Sequence, residues 1–196
     1  MKKIFLLYVF NVIGITIQAQ QICTNSFYTS ITYYNADLES YYPGTANYQN
    51  TSTLPFAYSI FPRTNETVDN SNCDEFDVKK PIIILEDFDI IKEDGPVKIY
   101  DDYINRDAKY LGDELRAKGY DIITFDIREP FVPIQVNAIV FSKFIEFINN
   151  KKNGNEENTI IGFGFGGLIA RYALLYMESK NIPHNTKQLI LMDTPN

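Results

Sequence analysis

The sequence predicts an α/β fold built on a mostly parallel sheet, and three features carry that expectation. Ile82-Ile83-Ile84-Leu85 and Asp121 to Phe125 (DIITF) are short apolar runs without the polar alternation of a half-exposed strand, as expected of strands covered on both faces. Helical stripes separate such runs. Ile104, Ala108, Leu111 and Leu115 recur at helical spacing with Gly119 to close the helix. Phe141, Phe144, Ile145 and Ile148 form a second stripe in a helix opened by Pro133. Two further apolar runs, Thr159 to Ile161 and Gln188 to Met192 (QLILM), flank a third helix starting near Gly166. Strand and helix alternating in this way is the rhythm of an open α/β sheet.

The 196 residues have room for about one domain of ordinary size. The N-terminus is expected to lie outside it. Lys2 and Lys3 precede an apolar run from Ile4 to Ile17 that ends near Ala19, the pattern of a cleavable secretory signal over residues 1–20. The run is short for the roughly 20 residues of a membrane-spanning helix. Cys23, preceded by Gln20-Gln21-Ile22, lacks the small-residue box of a lipid-attachment site. The expectation is export to the periplasm, cell surface or medium, with no membrane span after signal removal.

Losing Lys2 and Lys3 takes the formal charge from −7 to −9, which favours solubility and argues against a nucleic-acid partner. The two cysteines, Cys23 and Cys73, both fall in the exported part; they pair in an oxidising compartment or remain two free thiols.

From Gln21 to Val78 the chain is rich in Thr, Ser, Asn and Tyr and reads as an irregular or β-rich lead-in, with Tyr28–Tyr34 and Pro55–Phe61 as candidate strands. Its tyrosines suit either cross-strand packing or a carbohydrate platform. Asn50-Thr51-Ser52 and Asn65-Glu66-Thr67 are glycosylation sequons, meaningful in a eukaryotic secretory pathway. The α/β domain is expected over 79–196.

The chain is organised around Thr159 to Tyr176, TIIGFGFGGLIARYALLY. Strand, glycine turn and apolar helix have the shape of a nucleophile elbow, in which Gly-x-Ser-x-Gly holds a strained serine. Gly162 and Gly166 match the flanking glycines, Gly167 follows, and the central position is Gly164. Glycine has no oxygen with which to attack a carbonyl, and Phe163 and Phe165 supply no nucleophile. The same letters also fit Gly162-x-Gly164-x-x-Gly167, a dinucleotide fingerprint, with Asp193 ending the next strand as a ribose-binding acid would. Asp193 comes later than the usual spacing of about 20 residues, and the turn is third in the α/β series rather than first. The residues after Gly166 leave only Arg171 to interrupt three apolar turns; a helix apolar all round is a buried one, so it calls for more covering structure than this chain supplies.

GFGFGGLIARYALLYME, followed by His184-Asn185-Thr186 and LILMDTPN, resembles the α/β-hydrolase superfamily, in particular exported bacterial lipase- and esterase-like proteins. Pro81 to Asp89 (PIIILEDFD) resembles their strand and oxyanion loop, which usually ends Glu-Gly-Phe-Asp. Coverage runs from about residue 80 to 196. The resemblance implies an α/β-hydrolase-like sheet, incomplete at its C-terminal edge, because members continue through strands that bring the catalytic acid and histidine.

Residue by residue, the resemblance places Gly164 at the nucleophile position and Phe165 and Phe88 as the two oxyanion N–H donors. Gly162, Gly166 and Gly167 become the elbow glycines. Asp87 stands where the family has glycine, and a carboxylate there disfavours developing negative charge.

The remaining polar residues carry plainer readings. His184, the single histidine, belongs by the same resemblance to a structural His-Asn-Thr turn rather than a triad. Asp193 without a histidine partner has no role in acyl transfer. Asp87, Asp89, Glu93 and Asp94 share one loop, whose spacing is not that of an EF-hand calcium site. Arg171 is expected to pair with a carboxylate or carbonyl.

The functional expectation is a protein of serine lipase or esterase descent, inactive on carboxylic esters, with no cofactor and no metal. Its alternatives are an exported module binding an ester, acyl or glycan ligand, and a dinucleotide binder.

Overall fold

The apolar runs are continuous because they sit in the middle of one sheet with side chains buried on both of its faces. The structure is a computed structural model, and it describes residues 23–32, 51–64, 76–87, 95–106, 110–127 and 131–195. The strands are β1 (Cys23–Thr32), β2 (Thr51–Phe61), β3 (Pro81–Leu85), β4 (Asp121–Asp126), β5 (Asn158–Phe163) and β6 (Thr186–Met192). The helices are α1 (Pro96–Ile99), which runs into a π-helical segment Tyr100–Arg106, then α2 (Leu111–Ala117), α3 (Ile134–Lys151) and α4 (Gly164–Ser179). The six strands form one sheet in the order β1-β2-β4-β3-β5-β6. β4, β3, β5 and β6 pair in parallel, whereas β2 pairs antiparallel with both β1 and β4.

Strand periodicity sorts the core into two layers. Ile83 and Leu85 of β3 and Ile123 and Phe125 of β4 face α3 and α4, where they meet Phe141, Phe144, Ile145, Ile148, Ile169 and Met177. Ile82 and Ile84, with Ile122, face the other way onto Ile99, Tyr100 and Ile104. The α3 stripe is as expected: Phe144 packs its ring 4.6 Å from Phe125 and 5.3 Å from Tyr58, centroid to centroid.

The Thr/Ser/Asn/Tyr-rich stretch is β-rich where it is described, and its two strands belong to the same sheet. β2 ends against the start of β4, and a buried ion pair pins the junction. Asp121, fully buried, accepts the Arg63 backbone N–H at 3.1 Å, the Arg63 Nη1 at both carboxylate oxygens (3.0 and 2.9 Å), and the Lys79 N–H at 2.8 Å.

The stripe expected to make one helix over Ile104 to Leu115 does not. Ile104 lies in the π-helical segment and Leu111 and Leu115 in α2; Tyr110, at φ 67°, caps α2. A π turn advances the chain differently from an α turn, so the 3.6-residue stripe loses its phase. Tyr100 holds the two pieces together: it stacks on Phe61 (centroids 3.9 Å) and its hydroxyl donates to Asp113 at 2.8 Å. Burial, helped by the Asp113 hydrogen bond and opposed by Arg116, pushes this phenol up to about 12.

Gly119 ends α2 as expected, at φ 88°, with Gly119 N–H donating to Arg116 O (3.0 Å) and Tyr120 N–H to Leu115 O (3.1 Å). These are the paired bonds of a Schellman cap. A Cβ at residue 119 would meet nothing within 4 Å, so Gly119→Ala has only backbone strain to bear. The expected cost is about 1 kcal/mol, read as a melting point lower by roughly 3 °C.

α4 is covered on one side only. Ile169, Ala170, Ala173 and Met177 are buried against the sheet and α3, whereas Leu175 is 56% exposed and Arg171 is also exposed. No described element packs on its outer face, so the covering structure that its apolar sequence calls for is not among the described residues. β6 is the edge strand on the parallel side of the sheet, and its Leu191 and Met192 are exposed. Among the described residues no helix is long and apolar enough to cross a membrane. The signal segment, both sequon asparagines, Cys73 and hence any Cys23–Cys73 pairing, Phe88, and the Asp89, Glu93 and Asp94 loop lie outside the described residues.

Candidate functional site

Parallel strands bring their C-terminal ends to one edge of the sheet, and the sharpest turn there joins β5 to α4. Phe163 is still extended (φ −95°, ψ 133°) and Gly164 is already the first helical residue, at φ 46°. That left-handed conformation is strained for any residue with a Cβ, as the elbow geometry requires of its central residue. The other glycines answer to close approach. A Cβ on Gly162 would lie 2.7 Å from Gly167 N, one on Gly166 would overlap Glu86 O, and one on Gly167 would overlap the Thr194 hydroxyl. Thr194 Oγ1 donates to Gly162 O at 3.4 Å, fastening the end of β6 across the turn.

A carboxylate fills the centre of the site. Phe165 N–H donates to Asp87 Oδ1 at 2.7 Å, and a Cβ built on Gly164 would overlap the Asp87 carboxyl group. The bond is charge-assisted, and it sits at the N-terminus of a 16-residue helix, where an anion is favoured. Phe165, expected as the first oxyanion donor, has its N–H engaged by Asp87. Beside Asp87, Glu86 is buried and its Oε1 accepts the Ile127 N–H at 3.2 Å, tying the end of β3 to the end of β4. Phe163 packs on Tyr103, centroids 4.7 Å apart, on the face opposite α4.

His184 is far from this edge. It precedes β6, so it lies at the end of the sheet opposite the elbow, as the structural reading of the His-Asn-Thr turn requires. Its Nδ1 accepts the Thr186 N–H at 3.0 Å, its carbonyl accepts Asn149 and Asn158 side-chain amides at 3.1 and 2.9 Å, and Nε2 faces Glu178 at 3.5 Å. His184→Ala should cost about 1 kcal/mol by orphaning the Thr186 N–H and leave the elbow untouched, which a melting curve and the amide spectrum of α4 would show. An open groove of about 430 Å³ over Glu157, Glu178, Ile182 and His184 also belongs to this far end. Asp193 stands at the elbow edge at φ 51°, with no histidine beside it among the described residues. No cluster of His, Cys, Asp and Glu among the described residues is placed to hold a metal ion.

The architecture matches solved structures. A serine-to-alanine mutant of an α/β-hydrolase enzyme from the metagenome of Lake Arreo, Spain, superposes with a TM-score of 0.53 at 13% identity, covering 88% of this chain and 44% of that one. The fold is that of the α/β-hydrolases. An esterase of the fungus Rhizomucor miehei aligns with a TM-score of 0.49 at 12% identity, over 89% of this chain and 45% of that one. The chain thus spans less than half the length of these two solved proteins. No family model matches the sequence, and no curated protein matches it.

Within the α/β-hydrolase fold, Gly162, Gly164, Phe165, Gly166 and Gly167 lie together at the turn from β5 to α4. Two features were missed. Asp87 was read as a charge beside the oxyanion rather than as the group that takes its N–H. Glu86 is not singled out by the sequence reading, although a carboxylate directly after a buried strand is a signal that its oxygens have backbone donors to meet.

Proposed function

We propose that this chain is an exported protein of serine-esterase descent that does not hydrolyse carboxylic esters. The observation that carries the reading is the pairing of Gly164 with Asp87: the nucleophile position has no side chain, and a carboxylate lies in the space where one would begin. Acyl transfer needs an attacking oxygen, a base within hydrogen-bond reach and free N–H groups for the oxyanion. Here the first is absent, the single histidine lies at the other end of the sheet, and one N–H already has an anionic partner. Loss of a triad nucleophile costs about a millionfold in turnover.

The dinucleotide reading is weakened by the same contact, because a pyrophosphate would need the helix N-terminus that Asp87 holds. Binding of an acyl or glycan ligand without turnover remains compatible with this site, and it would involve no covalent step.

The test is hydrolysis of p-nitrophenyl butyrate by the purified full chain. The expected rate equals that of buffer with heat-denatured protein. A rate that saturates with ester and disappears on denaturation would overturn the proposal.

A further inference from the structure

β6 pairs in parallel with β5, and no described strand lies on its other side. Such an edge presents outward N–H and C=O groups that template a further strand. The devices that blunt an edge are sparse here: Thr186–Met192 contains no proline, and Lys187 is its single charged residue. Leu191 and Met192 on the strand and Leu175 on the neighbouring α4 are exposed.

The charges at the two ends of this edge complement each other. Lys187 and Asp193 are both exposed and stand three residues either side of Ile190. An antiparallel partner of identical sequence, centred on Ile190, sets Lys187 of each copy opposite Asp193 of the other. Leu189, which packs toward α4, then meets Leu191 on the α4 side of both copies.

α4 repeats the match. A Cβ on Gly167 would overlap the Thr194 hydroxyl, so these two residues lie at one level. Ile190 is roughly 13 Å back from Thr194 along the strand, and the same distance along α4 is roughly nine residues from Gly167. An axis through Ile190 therefore passes at the level of exposed Leu175. The outer stripe Leu168, Arg171, Leu175 and Glu178 is self-complementary about that point, with Arg171 of one copy toward Glu178 of the other.

We propose that β6 is a self-pairing edge, through which two copies of this chain join about a two-fold axis into one continuous sheet. The second copy also covers the apolar outer face of α4.

The test is sedimentation velocity on the full 196-residue chain over a concentration range of about a hundredfold. The unaltered chain should run as a dimer that dissociates on dilution. The outward amides of β6 should lose hydrogen-exchange protection in step with dissociation. A monomer at every concentration would overturn the proposal. So would aggregates growing beyond two, because an isologous contact closes at two copies. Protected β6 amides in the monomer would overturn it as well, since another segment would then hold the edge.

The register is tested by exchanging charges. Lys187→Glu places like charges opposite each other twice and should weaken the dimer about tenfold, as should Asp193→Lys. Both changes together restore the two pairs with signs exchanged, and affinity should return to within about threefold of the unaltered chain. A dimer insensitive to both single changes, or a double variant weaker than either, would overturn the proposal. Both residues are exposed, so the core is untouched in all three variants.

Discussion

Gly164→Ser is expected to give a less stable chain that still does not hydrolyse esters. The serine Cβ would have to share its place with the Asp87 carboxyl group, in a backbone conformation at φ 46° that side chains seldom adopt. Strain of the second kind costs about 1–3 kcal/mol, and displacing the exposed Asp87 side chain gives up its bond from Phe165 N–H, about 1 kcal/mol, so a loss of about 3 kcal/mol is expected in denaturant unfolding. Asp87→Gly in the same molecule removes the overlap but not the strained φ. The double variant should therefore regain about 1–2 kcal/mol relative to the sum of the single changes, a coupling a double-mutant cycle reads directly. Activity should stay at background in all three variants, because a new hydroxyl at residue 164 finds no histidine at its end of the sheet. Additive stabilities would show that Asp87 does not occupy the residue 164 space. Measurable hydrolysis by Gly164→Ser would show that a base is at hand.

Asp121→Ala should be the most damaging single change outside the elbow. The carboxylate is fully buried and has the Arg63 guanidinium, the Arg63 N–H and the Lys79 N–H as donors. Taking away one partner of a buried pair leaves the other charge unpaired in a poor solvent for it, which costs about 3–5 kcal/mol. Two backbone donors lose an acceptor as well. For a chain of this length the melting point should fall on the order of 10 °C. Asp121→Asn, which keeps one oxygen acceptor, should cost visibly less. A loss under about 1 kcal/mol for Asp121→Ala would mean that water replaces the carboxylate at the end of β2, and that the pair does not hold the antiparallel strands to the parallel ones.

The parallel half of the fold was legible because burial on two faces writes itself into sequence. Ile82 to Leu85 carries no polar residue since alternate side chains enter two separate core layers. Phe141, Phe144, Ile145 and Ile148 mark α3 because one helix faces one sheet. The segment Tyr100–Arg106 was not legible, since a π turn shifts the phase on which a helical stripe depends. The sequence reading starts this strand at Pro55; in the structure Pro55 lies within β2, opposite Tyr28 of β1. The strand runs from Thr51.

At the site, the glycine spacing announced the turn, and the missing hydroxyl at Gly164 was plain. The position of the Asp87 carboxylate was not, because residues 87 and 165 are joined by the β3–β5 pairing rather than by any motif. Arg63 and Asp121 were equally silent, being 58 residues apart and each ordinary in its own neighbourhood.

The central claim is that the elbow holds a carboxylate where an esterase holds a reactive serine, and covalent labelling tests it most directly. The full chain would be incubated with an excess of a fluorophosphonate, an electrophile that reacts with activated hydroxyls, and its intact mass measured. The expected result is no added mass beyond that of the heat-denatured control. A single adduct that forms only on folded protein and maps to the α4 edge of the sheet would contradict it.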